Sequence, residues 1–429
     1  MGSRNCLITL RVYTQTGSAI LFGDGILDFG DGTTQVTPTI ENTFLPEVGP
    51  NIGFVEFNIE HTYPAFGSYL VTYLEPNRSH GIVNFENSVG TRFYMESFFT
   101  IKSAADPYRS PIFLTVPIFR SESNRTYSES LVAVDSSGYR LIYFFSTPQR
   151  GVGLAVNNYI LPESYSINNY NGLMTWDGKF QAAGAVGQFL FAAKVCQYEN
   201  DILIGYVVRD IEVTLEDIPS RSWITDTKAL DANNRLVVYP GEEDSVKILF
   251  SHQGFSGEGE VNVVTELSSV PGVVNYLTYD STYLDDESQV VKVKVMNLKF
   301  NSLPEIDRDF PYVITVRGTV AKRSKDIVYL LYTRDVDDSD LPDPPVVVFA
   351  LPDPIQQIEP ATFPNPASGT LIVGIVDRAT IYTMQGTKVK EIVSPETSIL
   401  VYDLSPGFYI LMTERSGRSP ESQRIAVVR

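Results

Sequence analysis

An all-β chain of tandem Ig-like β-sandwiches is the fold class this sequence predicts, and three observations carry it. Side chains alternate with period two in run after run, most cleanly at Val291-Lys292-Val293-Lys294-Val295, where one face is apolar and the other charged. No long stretch sustains the helical period. Short runs of β-branched and aromatic residues are punctuated by Gly, Pro, Asn and Asp, the signals of hairpins. At 429 residues, with 43% hydrophobic and 12% aromatic content, the chain can fill several cores. About three to four domains follow at ~100–150 residues each.

Residues 1–103 read as the first sandwich. Leu7, Thr9, Arg11 and Tyr13 fall on one side of its opening strand and Ile8, Leu10 and Val12 on the other. In Leu27-Asp28-Phe29-Gly30-Asp31-Gly32-Thr33-Thr34, two glycines flank Asp31 in a tight turn that needs positive φ. Residues 104–217 read as the second sandwich. It contains Leu173-Met174-Thr175-Trp176, in which Trp176 is a core residue, and the apolar runs beginning at Phe189 and Ile202. Residues 218–335 read as a third, with strands over 235–239, 246–250, 261–267, 291–295, 312–320 and 327–332 and a Gly-rich loop over 252–259. Residues 336–360 combine an Asp run with repeated prolines, an extended linker. Residues 361–429 form a small C-terminal β-sandwich whose hairpins turn at Gln385-Gly386 and Pro406-Gly407.

That last segment reads Phe363-Pro364-Asn365-Pro366-Ala367-Ser368-Gly369, then Tyr382-Thr383-Met384-Gln385-Gly386, then Leu404-Ser405-Pro406-Gly407-Phe408-Tyr409, then a basic tail with Arg424 and Arg429. Order and spacing resemble the type A C-terminal sorting domain of Bacteroidota type IX secretion cargo. The resemblance implies Pro364, Asn365, Pro366, Gly386, Gly407, Tyr409, Arg424 and Arg429 as the sorting signal, the type IX secretion machinery as partner, and a secreted or outer cell surface location. Met1-Gly2-Ser3 reads as a cloned leader standing where an export signal belongs. Upstream, "DFGDGT" and Glu60-His61-Thr62-Tyr63 through Gly67-Ser68-Tyr69 resemble a PKD-like domain. The resemblance implies that the Asp turn packs beside the HTY strand, with Tyr69 near a strand corner. Asn171 to Trp176 resembles a cadherin-like strand. With Pro76-Asn77-Arg78 and the "IGxVxRDIxV" run ending at Val213, the first half is similar to gliding-associated or adhesin-like surface proteins.

Composition narrows the chemistry. The net charge is -18. Residues 361–429 hold seven basic and six acidic residues, so the acidity belongs to the body. Such a body repels nucleic-acid backbones, and no nucleic-acid partner is expected. Two cysteines, Cys6 and Cys196, make no disulfide scaffold and read as buried free thiols. No apolar run reaches the ~20 residues of a membrane-crossing helix, so no transmembrane segment is expected. A calcium loop is not expected at Val134-Asp135-Ser136-Ser137-Gly138, which keeps one carboxylate where Ca²⁺ wants several.

Three histidines (His61, His80 and His252) and no nucleophile, zinc or phosphate motif leave no catalytic, cofactor or metal site to name. Asp244-Ser245-Val246 and Asp280-Ser281-Thr282 fit a short O-glycosylation sequon. Ser281, read as lying in a polar loop, is the better candidate. The expected function is a non-enzymatic adhesin or structural protein of a surface fibre or layer, contacting a surface ligand or neighbouring subunits. The alternative is a secreted hydrolase or carbohydrate-binding accessory, which needs a concave pocket. A self-assembling filament needs an unpaired strand edge.

Overall fold

The computed structural model describes residues 4–15, 23, 25–38, 43–46, 48, 52–103, 108–180, 183–184, 186–199, 202–217, 223–227, 230, 234–252, 259–284, 290–320, 323–334, 370–383, 387–401, 403–414 and 421–427. Among the described residues strands dominate, and the helical elements are two short 3-10 turns, Glu266–Ser269 and Pro304–Ile306. The chain is a series of β-sandwiches, as the alternating pattern predicts.

In the first sandwich, Asn5–Gln15 pairs antiparallel with Ile52–Thr62 in one sheet. The facing sheet carries the hairpin Ile26–Asp28 with Thr34–Val36, followed by Gly67–Glu75 and Phe93–Ile101. Gly30 turns that hairpin at φ +77, and a Cβ there would sit 2.3 Å from the carbonyl oxygen of Leu70, so glycine is required twice over. The core is aromatic, with Phe29, Tyr63, Tyr69, Tyr73 and Phe99.

The second sandwich does not begin a fresh sheet. Gly205, Tyr206 and Val207 of Ile202–Glu216 pair with Phe99, Phe98 and Ser97. One sheet therefore runs unbroken across the expected 103/104 boundary, from Arg140–Ser146 through Gly187–Glu199 and Ile202–Glu216 into the first sandwich. Gly205 makes the join possible, because a Cβ there would lie 2.1 Å from Tyr108 Oη and 2.9 Å from the Phe98 carbonyl oxygen. Leu70 and Phe98 from one side share a core cluster with Cys196, Tyr198 and Tyr206 from the other. A buried ion pair reinforces the join: Arg78 meets Asp210, and its Nε donates to the Arg92 carbonyl at 3.1 Å. Trp176 is buried among Phe189 and Phe191, its indole N–H donating to the Lys179 carbonyl at 2.8 Å.

The third sandwich packs the sheet Trp223–Thr227, Glu243–His252, Val290–Asn301, Val274–Leu284 against Arg235–Val237, Arg323–Tyr332, Tyr312–Val320, Glu260–Val264. The strand read over 261–267 stops at Val264, and Leu267 instead caps the core from the first 3-10 turn, which Thr265 initiates through its hydroxyl. This module locks onto the second through buried charge. Arg317 grips Asp326 with two bonds, 2.9 and 2.7 Å, and also holds Glu129 of the second sandwich. Both carboxylates have no exposed side-chain surface. Ser130 N donates to Asp326 at 2.6 Å and Thr315 Oγ1 reaches Ser130 Oγ at 2.9 Å. Nearby, Glu216 takes both Arg120 and Arg323.

The C-terminal segment is a four-stranded antiparallel sheet ordered Lys388–Leu400, Thr370–Thr383, Gly407–Glu414, Glu421–Val427. Register shifts along its two long strands bend them, so that Ile399 and Val401 share a core with Ala379, Ile381, Leu411 and Ile425.

Two carboxyls around one guanidinium in a dry junction cannot both ionise cheaply. Burial pushes the Glu129 carboxyl well above its ordinary value of 4.5, Arg317 pulling it back and Asp326 adding to the rise. An acid raised in the folded state contributes stability that is complete below that ordinary value and fades as pH climbs through the folded one. Glu129→Gln should therefore flatten the fall of the thermal midpoint as pH rises above the ordinary carboxyl value of 4.5. Arg317→Met strands two buried carboxyls and should cost about 3–5 kcal/mol, read by urea denaturation at neutral pH.

Candidate functional site

One unprotected surface is a sheet edge in the third sandwich. Val274–Leu284 is paired by Val290–Asn301 on one side and, among the described residues, by nothing on the other. Its sequence alternates Tyr276, Thr278, Asp280 and Thr282 with Leu277, Tyr279 and Ser281, aromatic and β-branched residues that hold a strand without a covering layer. Val274 still packs against the core, opposite Phe300. Beyond it the hairpin runs past the sandwich, leaving Tyr276, Leu277 and Tyr279 at 48%, 66% and 43% exposure on both faces. Natural edges are guarded by Lys, Pro or bulges. This one has no Lys, no Pro and an unbroken register of eleven residues. Its only charge, Asp280, is tied to Lys294 at 2.8 Å.

Ser281 lies within this strand, exposed, and not in a polar loop. Asp280-Ser281 is turn-forming in composition, but the flanking Tyr and Thr residues carry the ladder through to Leu284. Ser245 is exposed near the start of Glu243–His252, its N–H donating to Asp244 Oδ1 at 2.7 Å.

The sorting-signal residues divide. Pro364, Asn365, Pro366, Gly386 and Arg429 lie outside the described residues, as does the 336–360 linker. Arg424 is registered opposite Ile410 in the last strand pair. Gly407 and Tyr409 form a corner: the Tyr409 hydroxyl donates to the Ser405 carbonyl at 2.7 Å, with its ring in the C-terminal core. Gly67-Ser68-Tyr69 repeats the device, Tyr69 Oη reaching the Ala65 carbonyl at 2.8 Å. In both, Gly-x-Tyr starts a strand and the phenol ties it to the residue four back, the tyrosine-corner logic of Ig-like folds.

The groups with chemical potential are spread apart. His61 Nε2 donates to Asp31 Oδ2 at 2.7 Å while its ring stacks on Phe29, which joins the Asp turn to the HTY strand. Cys196 is buried and its thiol pushed up to about 12 by burial, but Cys6 is only half-buried because it sits on an outer strand of the first sheet. Asp135 accepts from the Ser137 and Tyr139 N–H groups, an internal turn. Among the described residues no three of His, Cys, Asp and Glu gather as metal ligands, and no helix is long and apolar enough to cross a membrane. A cavity of about 660 Å³ opens at the junction of the first two sandwiches, and its lining holds one carboxylate, Glu86, and no His or Cys.

No protein-family model matches the sequence, and no curated protein matches it. Among solved structures the chain is similar to two crystal forms of human protocadherin-24 EC1-2, at 14% and 12% identity. They cover 54% and 52% of this chain and 100% and 98% of their own, with a TM-score of 0.18 for each. At that TM-score the likeness decides nothing about this chain.

If the Tyr409 phenol anchors its corner, Tyr409→Phe should lower the stability of the C-terminal sheet by about 1 kcal/mol, and Tyr69→Phe should do the same in the first sandwich. Hydrogen exchange at residues 407–414 and 67–75 reads the two effects separately.

Proposed function

We propose that this protein is a secreted surface scaffold, a structural or adhesive element of a fibre or layer, exported by way of its C-terminal domain. The observation that carries this reading is the unguarded edge Val274–Leu284 on a body whose modules are joined by a shared sheet and buried ion clusters. A stiff body presents an edge at a fixed angle, and an unpaired edge offers a row of backbone donors and acceptors to an incoming strand.

The occupant that fits best is a second copy of the same strand. Antiparallel self-pairing centred on Thr278 sets Leu277 against Tyr279 and Tyr276 against Asp280, an apolar–aromatic match on one face and no like charges opposed. The charge supports it too. A chain of net charge -18 repels itself, yet this edge is locally neutral through the Asp280–Lys294 pair. Export through type IX machinery rests on the sequence resemblance, supported by the sheet of Thr370–Thr383, Lys388–Leu400, Gly407–Glu414 and Glu421–Val427, which has a core of its own. A binding role is favoured over a hydrolytic one because the cavity carries a single carboxylate, where glycoside hydrolysis uses a pair.

Sedimentation of the full chain should show self-association that strengthens as salt screens the net charge. Leu277→Lys should abolish it while leaving the thermal midpoint unchanged, since the position is exposed. Association that survives Leu277→Lys would place the interface elsewhere. For the address, residues 361–429 fused to a reporter should deliver it outside a cell that possesses type IX machinery; a reporter retained inside rejects the export reading.

A further inference from the structure

We propose that the cavity between the first two sandwiches is a binding site for an acidic saccharide, a sugar chain bearing carboxylate groups. It is built where the two modules meet, a preferred place for ligand sites, and its volume of about 660 Å³ lies within the ~300–1,000 Å³ usual for them. One wall is the outer face of the strands Gly67–Glu75 and Phe93–Ile101 and the loop that joins them. The other is the hairpin Gln149–Gly151 with Leu154–Ala155.

Arg78 fixes the gap between these walls. Anchored by Asp210, it donates at once to the Arg92 carbonyl on one wall and the Gln149 carbonyl on the other. The cleft is thus preorganised by a buried ion pair that lies behind it rather than in it.

The charge of the lining runs against the charge of the protein. Arg92 and Arg150 both line the cleft, and neither has a carboxylate within ion-pair reach among the described residues. Other arginines of the body, Arg11, Arg120, Arg308, Arg323 and Arg334 among them, are neutralised by acids. Arg150 spends only its Nε, on the Ala155 carbonyl at 3.2 Å, which leaves its forked end for a ligand. Against these two cations stands Glu86, so the lining has one excess positive charge in a chain of net charge -18.

The remaining groups suit a sugar. Asn87 and Asn158 contribute amides from turn backbone at φ +52 and +53, a conformation asparagine tolerates. Leu74 and Leu154 supply apolar surface for the C–H face of a ring. Guanidinium forks match planar carboxylates bidentately. A long nucleic acid with the same negative charge would extend beyond the cleft onto a chain of net charge -18.

This goes beyond assembly through Val274–Leu284 and holds whether or not that edge pairs, because no residue of the edge lines the cleft. Calorimetric titration of the full chain with hexagalacturonate at low salt tests it, with cellohexaose as the neutral control. The expected result is binding of the acidic hexamer alone, weakened about tenfold by Arg92→Ala or Arg150→Ala and by added salt, and only partly restored in Arg92→Lys, which keeps the charge and loses the fork. Leu277→Lys, which removes the proposed self-pairing, should bind like the parent, so failure of one proposal is distinguishable from failure of the other. Thermal midpoints matching the parent confirm that the variants are folded. Equal binding of cellohexaose, undiminished binding by folded arginine variants, or no binding of hexagalacturonate would each overturn the site.

Discussion

Charge buried at the seams is the constraint on which the rest of the structure depends. Arg78 with Asp210 closes the first junction, and Arg317 with Glu129 and Asp326 closes the second. Taking such groups out of water is costly, and apolar replacements of similar shape are often as stable. What a buried ionic contact supplies is a unique arrangement, because a displaced module leaves a charge both dry and unpaired. Sheet continuity adds direction at the first junction, where Phe98 and Phe99 pair with Tyr206 and Gly205. Modules that would otherwise swivel on short linkers are thereby held in one pose.

That fixed pose is what gives the exposed features their meaning. The strand edge at Val274–Leu284 is useful to a surface polymer only if its direction relative to the rest of the body is constant. Arg78 ties both walls of the cleft. One residue, a loop arginine 132 positions from its partner Asp210, therefore acts on orientation and on the cavity together. The C-terminal sheet, beyond residues 335–369, has a separate core and a separate Gly-x-Tyr corner.

Much of this was legible in the sequence where the cause is local. Period-two patterning marks the strands, the glycines around Asp31 mark the hairpin, and Gly-x-Tyr marks both corners, because each depends on a few adjacent residues. Trp176 was placed in the core by its apolar neighbours. What escaped depends on distant pairing. The join at Gly205 needs a strand from another module; Ser281 looked like a loop until Val290–Asn301 was seen to pair with it. The motif residues Arg78 and Asp210 were visible as Pro76-Asn77-Arg78 and Arg209-Asp210, but nothing local says that one contacts the other. The cleft is likewise assembled from segments far apart in sequence, and its cations are notable only once their lack of acids is known.

The central claim is that the three sandwiches hold one relative pose. Pulsed electron spin resonance on the full chain, with labels at Thr9 and Ser245 after Cys6→Ser and Cys196→Ala, measures it directly, both label sites being exposed. A single narrow distance distribution is the predicted result. A broad or multimodal distribution would mean that the buried charges do not fix the junctions, and the account of a rigid body presenting an oriented edge would fail.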